Sequence, residues 1–127
     1  MTHATELVDQ YLAIWNETDG TRRRGLIGET FADDAIYVDP LLRGEGADGI
    51  DTMIGAAQGQ FAGHLFRRAG DVDVHNGRIR FTWELIQEEA AEPEMIGTDF
   101  AVISPDGRLE SVTGFFDRVP VGVGAPV

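Results

Sequence analysis

The sequence predicts an α+β domain, in which three N-terminal helices and a curved antiparallel sheet form a cone around an apolar pocket. Three observations carry this. Apolar residues recur at three- and four-residue steps over the first third of the chain and again over 46–61. The pattern then changes to strict alternation over 65–119. Two hairpin signals, His75-Asn76-Gly77 and Ser104-Pro105-Asp106-Gly107, cut that alternating half into four strands.

The elements follow in order. Thr5 to Glu17 reads as an amphipathic helix, with Leu7, Val8, Tyr11, Leu12, Ile14 and Trp15 on its buried stripe, ended by Asp19-Gly20. Thr21 to Ala32 reads as a second helix that turns Leu26, Ile27 and Phe31 inward. Arg22, Arg23 and Arg24 near its start oppose the macrodipole and read as a solvated face or a small acid-pairing patch. Ala35 to Asp39 alternates as a short strand stopped by Pro40. Gly46 to Phe61 is the third helix, with Ile50, Met53, Ile54 and Ala57 on one stripe. The strands Leu65 to Val74, Arg78 to Gln87, Met95 to Ile103 and Arg108 to Val119 complete the order. The domain spans 1–119, with a Gly/Pro-rich, flexible tail over 120–127.

Composition narrows the chemistry. With 127 residues and 43% hydrophobic content the chain fits one globular domain. A net charge of -12 disfavours nucleic acid and anionic membranes as partners. The start of the chain carries Glu6 and Asp9 and no basic segment, so a cytoplasmic location is expected. There is no cysteine, and all 10 basic residues are arginine, which removes thiol nucleophiles and lysine Schiff bases. His3, His64 and His75 lack metal-ligand spacing, so no metal and no cofactor are expected. Carboxylates, Tyr, Arg, His and Trp remain for catalysis.

Alternation assigns faces. Gly97, Asp99 and Ala101 share one face of their strand, and an acid inside an otherwise apolar strand is costly unless paired or protonated. Tyr37 and Asp39 share a face, as do Phe81, Trp83 and Leu85, and Val112, Gly114 and Phe116. Tyr11 and Trp15 lie one helical turn apart. Together these form an apolar pocket with two carboxylates and one or two phenols.

Phe31-Ala32-Asp33-Asp34-Ala35, Asp39-Pro40, Gly46 at a helix start, His75-Asn76-Gly77, and Asp99 ahead of Asp106-Gly107-Arg108 resemble ketosteroid isomerase in order and nearly in spacing, over about residues 5 to 119. With Trp15, Asp39-Pro40, Trp83 and Gly97-x-Asp99, the chain also resembles the SnoaL-like proteins of the nuclear transport factor 2-like fold. The resemblance implies that Asp39 is a general base, and that Asp99, as a protonated acid, and Tyr11 form an oxyanion hole. It also implies a homodimer through the outer sheet face, which Phe100, Val102 and Phe115 would supply. Phe31 and Ile54 stand where the isomerase has supporting tyrosines, and Trp15 and Trp83 replace smaller pocket residues, which predicts a smaller cavity. The chain lacks the strand histidine of the SnoaL-type cyclases, and Gly97 and Gly114 replace the Arg and second Asp of limonene epoxide hydrolase.

The expected function is cofactor-independent proton transfer (isomerisation, cyclisation or dehydration) on a small apolar carbonyl compound, with Asp39, Asp99 and Tyr11 as catalytic residues. Trp15, Phe31, Tyr37, Met53, Phe81, Trp83, Val112 and Phe116 would line the substrate site. The alternative is a non-catalytic small-molecule-binding or accessory domain. Each residue also has a plainer reading: Asp39 as a strand-end turn residue, Asp99 as a structural buried acid, Tyr11 and the tryptophans as core, and His64 as surface. Either indole N–H could serve Asp99 or a ligand.

Overall fold

The structure, a computed structural model, describes residues 2–120; the expected flexible tail lies outside these apart from its first residue. Its elements are α1 (Thr2–Asn16), α2 (Gly20–Thr30), β1 (Phe31–Val38), β2 (Arg43–Glu45), α3 (Gly46–Gln60), β3 (His64–His75), β4 (Arg78–Gln87), β5 (Met95–Ile103) and β6 (Leu109–Arg118). The strands form one curved open sheet in the order β2-β1-β6-β5-β4-β3, with the helices packed on one face. β1 runs parallel to β6 and every other pairing is antiparallel, so the sheet is mixed. No helix among the described residues is long and apolar enough to cross a membrane.

The local chemistry accounts for these elements. The Asp19 carboxylate accepts from Arg22 N at 3.0 Å and caps α2. Asn76 and Gly77 both adopt positive φ, 47° and 72°, as the tight turn between β3 and β4 requires. Along β4, Ile79, Phe81, Trp83 and Leu85 are buried while the residues between them are not. Along β5, Met95, Gly97, Asp99 and Ala101 face the helices and Phe100 faces out. α2 runs directly into β1 with no intervening loop. Phe31 therefore caps the helix and opens the strand, where the sequence predicts it inside the helix. β2 is three residues long, too short for alternation to reveal.

Three sets of polar contacts hold the helices to one another and to the sheet. Asn16 exchanges hydrogen bonds with the backbone of Phe66, both at 2.8 Å, and so ties the end of α1 to the edge strand. The Gln58 amide donates to the carbonyls of Trp15 (3.0 Å) and Glu17 (2.8 Å), covering the open end of α1 from α3. The arginine run is an acid-pairing patch. Arg23 is buried, with Nε 2.6 Å from Asp51 Oδ1, and Arg24 Nε is 3.0 Å from the second oxygen of the same carboxylate.

Removing one partner of a buried ion pair strands the other charge. Asp51→Ala is expected to lower unfolding free energy by about 3 kcal/mol, read by urea denaturation. A loss below about 1 kcal/mol would put this pair in the weak class of solvated surface bridges.

Candidate active site

The site forms where β1, β6 and β5 lie side by side. Asp99 pairs with Gly114 across β5 and β6, and Val38 pairs with Thr113 across β1 and β6. Asp39, the next residue, thus reaches Gly114 from one side while Asp99 reaches it from the other. Their backbones stand two strand spacings apart, about 9.5 Å, and the missing side chain at 114 lets the acids lean together. A Cβ built on Gly114 would stand 2.8 Å from Asp99 Oδ1, 3.2 Å from Asp39 Cβ and 3.5 Å from the Tyr37 hydroxyl. Two carboxyls and a phenol converge on one small space.

Asp99 is 1% exposed, and each of its oxygens accepts one hydrogen bond. Tyr11 donates to Oδ2 at 2.8 Å and Trp83 Nε1 donates to Oδ1 at 2.9 Å. Trp83 reaches Asp99 because its ring lies across Gly97, its cross-strand partner; a Cβ there would fall 2.1 Å from the indole. The Gly97-x-Asp99 pair is therefore one device: the glycine clears the path of the donor that serves the acid. Burial raises the Asp99 pKa to about 7. The hydrogen bonds from Trp83 and Tyr11 pull it down only partly, and the nearby Asp39 charge adds to the rise. Burial, then the adjoining Asp99 charge, also pushes the Tyr11 phenol well above its usual value.

Asp39 has a different setting. It is half-buried, and Oδ1 accepts from the backbone N–H groups of Leu41 and Leu42, both at 2.8 Å. Oδ2 accepts from the buried Tyr37 hydroxyl at 2.5 Å. Burial, then the neighbouring Tyr11 and the two acids, raises the Tyr37 phenol well above its usual value. A carboxylate offers about four lone pairs, and these three donors leave one, on Oδ2.

Asp39, Asp99, Tyr11, Trp15, Tyr37, Trp83 and Phe116 all line one cavity, with about 40 Å³ open to the centre of a water molecule. Both tryptophans stand in its wall. The other four residues expected in the wall lie elsewhere. Phe31 and Phe81 pack edge-on against Tyr11, with ring centroids 5.9 and 5.6 Å away, and brace it from within the core. Met53 and Val112 are core residues that do not line the cavity. The walls missed in the sequence include Leu41 and Leu42, behind the Asp39-Pro40 turn, and Phe66 on β3. Alternation with the exposed Leu65 was the one signal that placed Phe66 inward. His64 is mostly buried beside Phe61, with Nε2 2.7 Å from Glu94 Oε2, and does not line the cavity.

Asp99 makes stability depend on pH. In the folded state it keeps a proton that the unfolded chain loses near pH 3.8. The unfolded chain therefore binds fewer protons between about 4 and 7, and stability falls as pH rises through that window. The total is on the order of 4 kcal/mol. Asp99→Asn is expected to remove this decline, read as the wild-type minus variant difference in urea unfolding from pH 4 to 8. Trp83→Phe, which deletes a donor to the ionised form, is expected to extend the decline beyond pH 7. Parallel pH profiles for wild type and both variants would contradict a raised Asp99 pKa.

No family model matches the chain, and no curated protein does. Solved structures do. A protein of Agrobacterium tumefaciens str. C58, described as a candidate isomerase of the SnoaL-like family, is 43% identical, with a TM-score of 0.88 over 92% of this chain and 99% of that one. A candidate polyketide cyclase from Sinorhizobium meliloti is 21% identical, with a TM-score of 0.65 over 86% and 93% of the two chains. A SnoaL-like protein of unknown function from Burkholderia thailandensis E264 is 13% identical, with a TM-score of 0.71 over 91% and 95%. The latter two show the fold alone. At 43% identity over nearly the whole of both chains, this protein belongs to the SnoaL-like family of the nuclear transport factor 2-like fold.

Proposed function

We propose that the cavity is the active site of a cofactor-independent enzyme that moves protons on a small apolar carbonyl compound. The observation that carries this reading is that Asp39 and Asp99 meet over Gly114 in opposite environments, one half-solvated and one desolvated. Two acids in settings this different, one half-solvated and one desolvated, are suited to base and acid roles.

Asp39 takes a proton from the carbon next to the carbonyl, on the lone pair of Oδ2 that Tyr37 leaves free. The C–H electron pair becomes the enolate double bond and charge moves to the carbonyl oxygen. Asp99, protonated at or below neutral pH, donates a hydrogen bond to that oxygen from the buried side. Returning the proton to a different carbon gives an isomer, attack of the enolate on a second carbonyl closes a ring, and expulsion of a β-hydroxyl gives a dehydrated product.

A non-catalytic binding domain is the second reading. It is favoured by Tyr11, whose hydrogen is directed to Asp99 and not into the cavity, and which has no second phenol behind it.

Exchange of α-hydrogens of small cyclic ketones in D2O, followed by NMR, tests the proposal. Wild-type protein is expected to accelerate exchange, with the rate falling above about pH 7 as Asp99 loses its proton. Asp39→Asn and Asp99→Asn are each expected to slow it by roughly 100-fold or more. Ketone binding with no exchange would establish the binding-domain reading instead.

A further inference from the structure

The cavity wall holds both of the chain's tryptophans, and their N–H groups are used differently. Trp83 gives its hydrogen to Asp99 Oδ1. Trp15 is 6% exposed, and its Nε1 is buried with no hydrogen-bond partner. The group it faces is the Tyr11 hydroxyl, without reaching hydrogen-bond geometry, and the Tyr11 hydrogen is already committed to Asp99 Oδ2. An indole N–H only donates, and it cannot escape an unpaired state by ionising. A buried donor without an acceptor is rare and costly.

Trp15 also has little freedom to find another acceptor. Its ring packs edge-on against Tyr11 and tilted against Tyr37 and Phe66, at centroid distances of 6.4, 5.4 and 5.3 Å. Its carbonyl is held by Gln58, and the next residue, Asn16, is bonded to β3. Among the described residues, the Thr30 hydroxyl is also buried without a hydrogen bond, but it does not line the cavity, and the buried His64 Nε2 lies 2.7 Å from Glu94 Oε2. Trp15 supplies the unpaired donor in the wall, in the corner that also holds Tyr11 and Asp99.

We infer that the Trp15 Nε1–H is the donor kept for the substrate's carbonyl oxygen, and that the substrate is an uncharged, planar carbonyl compound. The inference rests on the reading that this cavity receives a carbonyl compound. A carbonyl oxygen has two lone pairs, so it can accept from Trp15 and Asp99 together. The charge selection follows from the lining: Asp39 and Asp99 are its acids, and it includes no Arg or His to balance an anion. The planar shape follows from the walls, where Trp15, Tyr37, Phe66, Trp83 and Phe116 present rings.

With two tryptophans in the chain, an NMR spectrum of indole N–H groups contains two signals, and Trp15→Phe assigns them. Three six-membered-ring probes separate the possibilities: cyclohex-2-en-1-one, cyclohexene, and cyclohex-1-ene-1-carboxylate. The enone is expected to move the Trp15 N–H signal downfield and to bind about tenfold more tightly than cyclohexene. The carboxylate is expected to bind most weakly. In Trp15→Phe, enone affinity is expected to drop to the level of cyclohexene, while the Trp83 signal keeps its wild-type position and pH titration, which shows that the fold and Asp99 are intact.

Enone binding that leaves the Trp15 signal unmoved, or equal enone affinity in Trp15→Phe with the Trp83 signal preserved, overturns the Trp15 assignment and leaves the proton-transfer reading standing. A moved Trp15 signal with no α-hydrogen exchange supports the assignment and removes the proton-transfer reading. Tighter binding of the carboxylate overturns the charge selection, and no enone binding at all overturns both readings.

Discussion

Keeping one carboxyl group out of water is the constraint on which the site depends. A buried acid is tolerated only when it is hydrogen-bonded or neutral, and Asp99 is both bonded and partly neutral near pH 7. Its two donors come from distant parts of the chain, Tyr11 on α1 and Trp83 on β4. The acid therefore locks the first helix to the middle of the sheet. The glycines at 97 and 114 follow from the same need: one admits the indole and the other leaves the space into which Oδ1 leans. The core behind Tyr11, with Phe31 and Phe81 edge-on to its ring, holds the phenol at the distance its hydrogen bond requires.

Asp39 is organised on the opposite principle. It ends a strand at a proline-containing turn and gathers two backbone donors and a phenol within a local stretch of chain. Local donors leave it half-solvated, whereas long-range donors bury Asp99. A single sheet register, with Gly114 between the two, brings these environments to one cavity. The two carboxyl groups face one space from opposite sides, and the lining that surrounds them includes no Arg or His.

Much of this is legible in the sequence, for reasons that differ from residue to residue. Asp99 stands out because strict alternation places it on the apolar face, and Asn76-Gly77 marks its turn because few residues accept two successive positive φ values. Trp83 falls on the Asp99 side by the same period of two, but alternation could not decide which indole served the acid; the cross-strand pairing with Gly97 does. Phe31 was legible as apolar and not as a strand residue, because the helix and strand abut without a turn signal. Met53 and Val112 carry the pattern of inward residues, and pattern alone does not separate core from cavity wall. The meeting of Asp39 with Asp99 depends on the parallel pairing of β1 with β6, a contact between segments more than 70 residues apart in the chain, which local patterning does not encode.

The most direct measurement of the central claim is a pH titration of the aspartate side-chain carboxyl carbons by NMR, assigned with Asp99→Asn. The account predicts that the Asp99 carbon titrates with a midpoint near 7, and that this midpoint moves when Asp39→Asn removes the neighbouring charge. An Asp99 midpoint in the ordinary range near 3.8, unmoved by the change at Asp39, would contradict it.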